Sequence, residues 1–198
     1  FWILYFQMFD TVLWYLKDYM DMTPVNNVIN RFLGLFTANP SWKFDAEHVT
    51  VINAGAIILL QLLISSLVKK TPALPTMIVG IGLGTIGMGI LAISTYAWVF
   101  VAGLVIFSIG EMTAHPKFIS YIGLIAPPDK KALYLGYSFL YGVIGSGIGG
   151  ILGATLYVHF VDGLGRPGLL WFIFSMIGVA TIIGLLLFNH YLKPKHNS

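Results

Sequence analysis

Long apolar runs, separated by short polar segments, constrain the fold of this chain more than any other feature of its sequence. Of the 198 residues, 57% are hydrophobic and only 10% are charged, whereas charged residues make up about 25% of a typical soluble domain. A soluble domain of this size cannot bury so much apolar surface, but a bilayer accepts it in helices of about 20 residues. The sequence therefore predicts an all-α, polytopic membrane protein.

The apolar runs predict six transmembrane helices joined by mostly short connections. The expected spans are 1–20, 48–67, 75–94, 97–125, 132–160 and 168–190. Residues 21–47 form a longer polar connection. An interfacial helix is predicted within it, because five apolar residues recur there at helical spacing: Val25, Ile29, Phe32, Leu33 and Phe36. Residues 191–198 are expected to form a polar tail.

The positions of the basic residues predict how these helices are oriented. Seven of the eleven fall on one side of the six-span arrangement: Lys69, Lys70, Lys117, Lys130, Lys131, Lys193 and Lys195. Cytoplasmic loops carry an excess of Lys and Arg, so both chain ends are expected in the cytoplasm and the 21–47 connection outside the cell. This pattern is typical of a protein of the inner or plasma membrane, and it does not indicate a nucleic-acid-binding surface.

Several classes of function find no support in the sequence. The absence of cysteine excludes disulfides, thiolate metal sites and cysteine nucleophiles. No glycine-rich phosphate loop ending in Lys-Ser or Lys-Thr occurs, and the five histidines are scattered without the spacing of a metal or haem ligand pair. We therefore predict a protein that is not an enzyme and that holds no metal or cofactor.

Glu111 is the strongest candidate for a functional residue. It lies deep in the fourth apolar run, where an ionisable side chain is costly and normally faces a partner or a water-filled cavity. Such a carboxyl group suits a reversible proton carrier; the alternative is a structural carboxyl group that is hydrogen-bonded within the bundle. His115 follows four residues later on the same helix face. It either joins a proton relay or substrate contact with Glu111, or satisfies the backbone kinked by Pro116.

Four further side chains are predicted to line a cavity. Gln7, Asp10 and Trp14 are spaced by one helical turn in the first predicted span and would share a face if that span is one helix. Asn53 lies in the second span, two turns before Gln61. Polar residues of this kind either line a cavity or form hydrogen bonds between helices, and the second fate is the commoner one.

Glycines in the fifth span indicate close contact between helices. Gly145, Gly149 and Gly153 recur every fourth residue, a spacing that lets transmembrane helices approach closely. The sequence alone leaves two interpretations open. The glycines serve either static packing or a surface that slides during transport.

The residues around Glu111 resemble a known family. Gly110-Glu111-Met112, followed by Pro116, Ile125-Ala126-Pro127 and Gly136-Tyr137, is similar to the pattern around helix 10 of the proton-dependent oligopeptide transporters, a family within the major facilitator superfamily. Phe1-Trp2 and Gln7 are similar to the start of that family's helix 7, and Asn53 sits where a family Asn opens helix 8. This chain departs from the family at two positions, since His115 replaces the usual Ser and Ala54 replaces the usual Pro.

The resemblance implies a fold and a function. The fold would be the C-terminal six-helix domain of a transporter, built as two three-helix inverted repeats, 1–94 and 95–190, which would work against an N-terminal six-helix domain. The function would be proton-coupled symport of small peptides or related solutes by alternating access. Glu111 would contact the peptide amino group or join proton coupling, and Trp14 would be an aromatic residue of the cavity.

Two alternatives stay open at this point. One is a carrier of the same superfamily for a different solute. The other is a non-transporting scaffold subunit derived from a half-transporter. The chain starts at Phe1, inside an apolar run and without an initiator Met, so we expect Phe1 to be an internal residue of a longer protein.

Overall fold

The structure is a computed structural model that describes residues 1–191. Its regular elements are helices, with one isolated backbone bridge between Asp21 and Tyr96. The α-helices are α1 (Trp2–Gln7), α2 (Thr11–Tyr19), α3 (Thr23–Leu33), α4 (Glu47–Val68), α5 (Ala73–Leu91), α6 (Ala97–Ile125), α7 (Lys131–Ser138), α8 (Leu140–Leu156) and α9 (Pro167–Tyr191). A short 3₁₀ turn, Pro128–Lys130, precedes α7, and a π-helical segment, Tyr157–Gly163, follows α8. The predicted tail after residue 191 lies outside the described residues.

Within the described residues, five helical segments are long and apolar enough to cross a membrane: α4, α5, α6, α9 and the stretch Pro128–Gly163 that contains α7 and α8. These five correspond to the second to sixth predicted spans. Polar or proline-containing segments end each of these apolar runs. The prediction of an all-helical, multi-pass membrane protein is confirmed.

The first predicted span is not one continuous helix, which corrects the expectation for residues 1–20. It is divided into α1 and α2 by a break at Met8–Asp10. The backbone of Asp10 has φ −137° and ψ −93°, outside the helical region. The amide groups of Met8, Phe9 and Asp10 bond to carbonyls three residues earlier, the tighter pattern of a 3₁₀ turn. Asp has low helix propensity, and apolar composition alone does not reveal such a break.

Helices α5 and α6 pack with their backbones in direct contact. A side-chain β-carbon built on Gly87 would lie 2.7 Å from the carbonyl oxygen of Gly103 and 2.7 Å from the amide nitrogen of Phe107. One built on Gly80 would lie 2.6 Å from the backbone nitrogen of Ala114. Glycine at these positions therefore fixes how closely α5 holds α6, the helix that carries Glu111.

The glycines of α8 pack against α1. A β-carbon on Gly145 would lie 2.7 Å from the Cβ atom of Trp2, and one on Gly149 would lie 3.3 Å from the carbonyl oxygen of Ile3. These contacts support the packing interpretation of the glycine spacing. They leave its sliding interpretation as a prediction.

The long connection contains α3, where an interfacial helix was predicted. Val25 is buried, whereas Phe32 and Phe36 are exposed. The rest of the connection is held to α3 by asparagine side chains. Asn30 exchanges two hydrogen bonds with the backbone of Trp42, at 2.8 and 2.9 Å, and Asn26 accepts one from the amide of Phe44 at 2.7 Å.

Candidate functional site

Glu111 lies in the middle of α6 and is 8% exposed. The side-chain amide of Asn53, on α4, donates one hydrogen bond to Oε2 of Glu111 at 3.0 Å. The same amide nitrogen donates a second bond to Oγ of Ser108 at 2.9 Å. Both hydrogens of the Asn53 amide are therefore used, and they join α4 to two successive turns of α6.

Ser108 is a member of this site that sequence reasoning missed. It is fully buried, and its hydroxyl donates to the carbonyl oxygen of Leu104 at 2.9 Å, one turn earlier on α6. Its spacing of three residues from Glu111 was the available signal, since residues three apart share a helix face. We call Asn53, Ser108 and Glu111 the buried polar cluster.

The chemistry of the buried polar cluster is that of a carboxyl group with neutral partners. Within residues 1–191, no Lys, Arg or His nitrogen lies within 4.0 Å of the Glu111 carboxylate. A proton can therefore join or leave Glu111 without breaking an ion pair in this part of the chain. Asn53 donates to the charged form, and a carboxyl group also has acceptor capacity when it is protonated.

His115 is on the same helix as Glu111 but bonds to a different neighbour. Its Nε2 atom lies 3.1 Å from the hydroxyl of Tyr141, on α8. Trp2 stacks on the Tyr141 ring with ring centres 3.9 Å apart, and it meets the His115 ring edge-on at 4.8 Å. We call Trp2, His115 and Tyr141 the aromatic cluster. Sequence reasoning named His115 but missed its two partners, because they come together only through the packing of α1, α6 and α8.

Gln7 lies between α1 and α8. It is fully buried, and its amide nitrogen donates to the carbonyl oxygens of Ile3 at 2.9 Å and Gly149 at 3.1 Å. The hydroxyl of Thr11 donates to the side-chain oxygen of Gln7. A β-carbon on Gly153 would lie 2.5 Å from both that oxygen and the Thr11 hydroxyl. Gln7 is therefore a packing contact between α1 and α8.

Asp10 and Trp14 are separated from Gln7 by the break between α1 and α2. The spacing argument required one continuous helix, whereas the chain breaks at Asp10 before α2 begins. Trp14 is 42% exposed and meets the ring of Tyr157 edge-on at 5.6 Å, whereas Gln7 is fully buried. Asp10 is partly exposed. All three side chains nevertheless lie beside α8 or the segment that follows it. Gln7 bonds to Gly149, an oxygen of Asp10 lies 4.0 Å from the position of a β-carbon on Gly150, and Trp14 meets Tyr157.

An apolar cavity of about 380 Å³ lies beside the aromatic cluster and is lined by residues of α1, α5, α6 and α9. Trp2 belongs to both features, and Ala114 places the cavity next to His115. The other walls are mainly aliphatic and aromatic, and they include Met77, Phe118 and Leu185. Glu111 does not line this cavity, so the charged and the apolar features occupy separate places on α6.

Comparison with known proteins identifies the family. Residues 20–198 match the model of the Major Facilitator Superfamily. The chain is 29% identical over 104 residues to the multidrug resistance protein MdtH of Aeromonas salmonicida (strain A449). The aligned region covers 52% of this chain and 26% of that protein. It is also 31% identical over 137 residues to the uncharacterized MFS-type transporter YqjV of Bacillus subtilis (strain 168). This second aligned region covers 68% of this chain and 31% of that protein.

These matches span between a quarter and a third of the length of the two relatives. No solved structure matches the chain significantly. The family match nevertheless covers most of the chain, and it agrees with a helical fold that has five segments of membrane-spanning length among the described residues. The chain belongs to the major facilitator superfamily of membrane transporters.

Proposed function

We propose that this chain is part of a proton-coupled secondary transporter in which Glu111 carries the proton. The observation that supports the proposal is the buried polar cluster, in which a carboxyl group 8% exposed is held at 3.0 Å by the neutral amide of Asn53. Ionisable side chains inside the membrane mark ion and proton pathways. A group with neutral partners can change its charge and so bias the helices between two arrangements.

The leading solute class is small peptides or related solutes, moved by symport. This choice rests on the resemblance of the Glu111–Pro127 segment to the oligopeptide transporters. In this proposal Glu111 and Asn53 lie on the solute pathway, and the aromatic cluster forms part of its wall. Asp10 and Trp14, which are both partly exposed, are the remaining predicted contacts with the solute. Gln7 holds α1 against α8 through its hydrogen bond to Gly149.

A second candidate is proton-driven export of an amphipathic solute. Two observations favour it: one relative is named as a multidrug resistance protein, and the cavity beside the aromatic cluster has mainly apolar walls. Apolar walls with a few polar groups are typical of sites for small amphipathic molecules. Both candidates use Glu111 in the same way and differ in the solute and in the direction of coupling.

The proposed assembly has this chain working against a second helical domain of a longer protein. The two inverted repeats, 1–94 and 95–190, would together form one unit that rocks against that domain, with the solute between the two near the middle of the membrane. Both ends of the chain would face the cytoplasm, because the lysine-rich ends of α4 and α6 lie on one side. A non-transporting scaffold is the alternative to be excluded by experiment.

Proton movement in proteoliposomes tests the function and separates the two candidates. The full-length protein is reconstituted with a pH-sensitive dye inside the vesicles, and the solute is added outside. A dipeptide that enters with protons acidifies the vesicle lumen, and we expect this result. A lipophilic cation that instead drives protons in the opposite direction would favour the export candidate. No proton movement with either solute class would contradict the proposal.

Replacing Asn53 with Ala is expected to slow coupled transport about tenfold or more. The variant removes the hydrogen bonds to Ser108 and Glu111, and a hydrogen bond to a charged group contributes about 1.5–3 kcal/mol. The initial rate of solute-driven proton movement measures the effect. The matched control is Gln61→Ala, also on α4, since Gln61 donates only to the exposed Ser65. Equal rates for the two variants would show that the buried polar cluster has no part in coupling.

A further inference from the structure

A cavity with lysine and serine side chains in its wall lies at the lysine-rich end of the bundle, between the end of α4 and the second half of α6. Val68, Met112 and Pro116 form the apolar part of its wall. The volume of the cavity is about 330 Å³, and its lining includes three hydroxyl groups and two ammonium groups: Ser65, Ser66, Lys69, Lys117 and Ser120. No carboxylate lines it. This composition differs from that of the apolar cavity beside the aromatic cluster, and the proposed transport function makes no use of it.

Lys117 is the most buried of the polar residues that line this cavity. It is 8% exposed, and its ammonium donates to the carbonyl oxygen of Thr71 at 2.7 Å. An ammonium group has three hydrogens to donate, so this bond uses one of them. Within residues 1–191, no carboxylate lies within 4.0 Å of Lys117. A buried cation without a counter-charge is costly, and the cavity wall it lines is where an anion would offset that cost.

The hydroxyl groups of the cavity suit the oxygens of a phosphate. Ser65 accepts a hydrogen bond from Gln61 at 2.8 Å, which leaves its own hydroxyl hydrogen available as a donor. Ser120 lies on α6 and is exposed, and Lys69 stands at the exposed end of α4. Lys ammonium and Ser hydroxyl groups are common ligands of phosphate oxygens, and bonds to the charged oxygens are stronger than neutral ones.

We infer that this cavity binds a phosphate group, with Lys117 as its principal ligand and Lys69, Ser65 and Ser120 around it. In the proposed orientation the lysine-rich ends of α4 and α6 would lie at the cytoplasmic membrane surface, where the headgroups of anionic phospholipids collect. The phosphate can therefore come from a lipid headgroup or from a soluble phosphate, and both share this chemistry. The site is separate from Glu111, so it can be tested independently of proton coupling.

The test measures thermal unfolding of the full-length protein in nanodiscs. One arm compares nanodiscs of a phosphate-free galactolipid, digalactosyldiacylglycerol, with nanodiscs that also contain phosphatidylglycerol. The other arm adds inorganic phosphate to the pure galactolipid nanodiscs, with phosphate-free buffer as the reference. A ligand of the native state raises the unfolding temperature. We expect stabilisation in at least one arm, and the arm that shows it identifies the source. Stabilisation in neither arm would overturn the inference.

Variants then assign the effect to Lys117. Lys117→Gln keeps a donor for the Thr71 carbonyl but removes the charge, and we expect apparent phosphate or lipid affinity to fall about five- to tenfold. Lys117→Arg keeps the charge and should retain stabilisation. Lys70→Gln is the matched control. Lys70 directly follows Lys69 after the end of α4, is exposed, and does not line the cavity.

Two outcomes would contradict the assignment. Equal loss in Lys117→Gln and Lys70→Gln would indicate general charge attraction to the membrane surface. If Lys117→Gln keeps its full affinity for phosphate or lipid, Lys117 is not a phosphate ligand. Its role would then be to pair with a carboxylate from another part of the protein. If Lys117→Gln does not fold, the Ser65→Ala/Ser120→Ala double variant replaces it, with the same expected loss of affinity and the same contradicting result.

Discussion

Replacing Glu111 with Gln is expected to abolish proton-driven accumulation of solute while leaving the protein folded. Glutamine has nearly the same shape, and its side-chain oxygen can accept the hydrogen bond that Asn53 donates to Glu111 at 3.0 Å. A glutamine amide does not take up or release a proton in the physiological range. Because the substitution removes the coupling step and does not merely slow it, uphill transport should fall to the background of protein-free vesicles.

Exchange across the membrane separates lost coupling from lost structure. Glutamine mimics the protonated carboxyl group, so a symporter with this substitution should still exchange internal for external solute when no gradient is imposed. Labelled solute, with and without a proton gradient, measures both activities in the same vesicles. Glu47→Gln is the matched control, because Glu47 is the other glutamate of the chain and is exposed at the start of α4. Uphill transport by Glu111→Gln would refute the role proposed for Glu111.

The sequence was sufficient to predict the parts of the site that depend on a single helix. The apolar run that contains Glu111 predicted a span over 97–125, and α6 occupies Ala97–Ile125. A carboxyl group at its centre had to be buried or face a cavity, and Glu111 is buried. These conclusions follow from hydropathy and chain length, which are local properties.

The parts of the site that depend on contacts between helices were not predictable in the same way. Asn53 and Glu111 are 58 residues apart, and no periodicity within α4 or α6 indicates that they meet. Spacing arguments also assume an unbroken helix. That assumption does not hold between Gln7 and Trp14, because the non-helical backbone of Asp10 separates α1 from α2. Tertiary packing thus decided which of several plausible polar residues became partners.

Replacing Gly87 with Ala is expected to destabilise the whole bundle. The added methyl group would lie 2.7 Å from two backbone atoms of α6, the Gly103 oxygen and the Phe107 nitrogen. Backbone atoms cannot turn away as a flexible side chain can, so α5 and α6 must separate. Overpacking a close contact costs about 1–3 kcal/mol, occasionally more. Thermal unfolding of the purified full-length protein should show a lower midpoint and a smaller folded fraction.

The control for this prediction is Gly82→Ala on the same helix. Its methyl group would meet only the side-chain tip of Ile182, at 3.9 Å, and alanine favours a helix over glycine by up to about 1 kcal/mol. Gly82→Ala should therefore be neutral or slightly stabilising, and similar unfolding midpoints for the two variants would contradict the packing argument.

The same contact connects fold to function. Phe107 precedes Glu111 by one turn of α6, so any shift of α6 away from α5 also moves Glu111 relative to Asn53 on α4. Gly87→Ala should therefore lose transport and stability together, and solute exchange should fall with them. Glu111→Gln should lose uphill transport alone. Comparing exchange in these two variants distinguishes damage to the helix that carries the carboxyl group from removal of the carboxyl group itself.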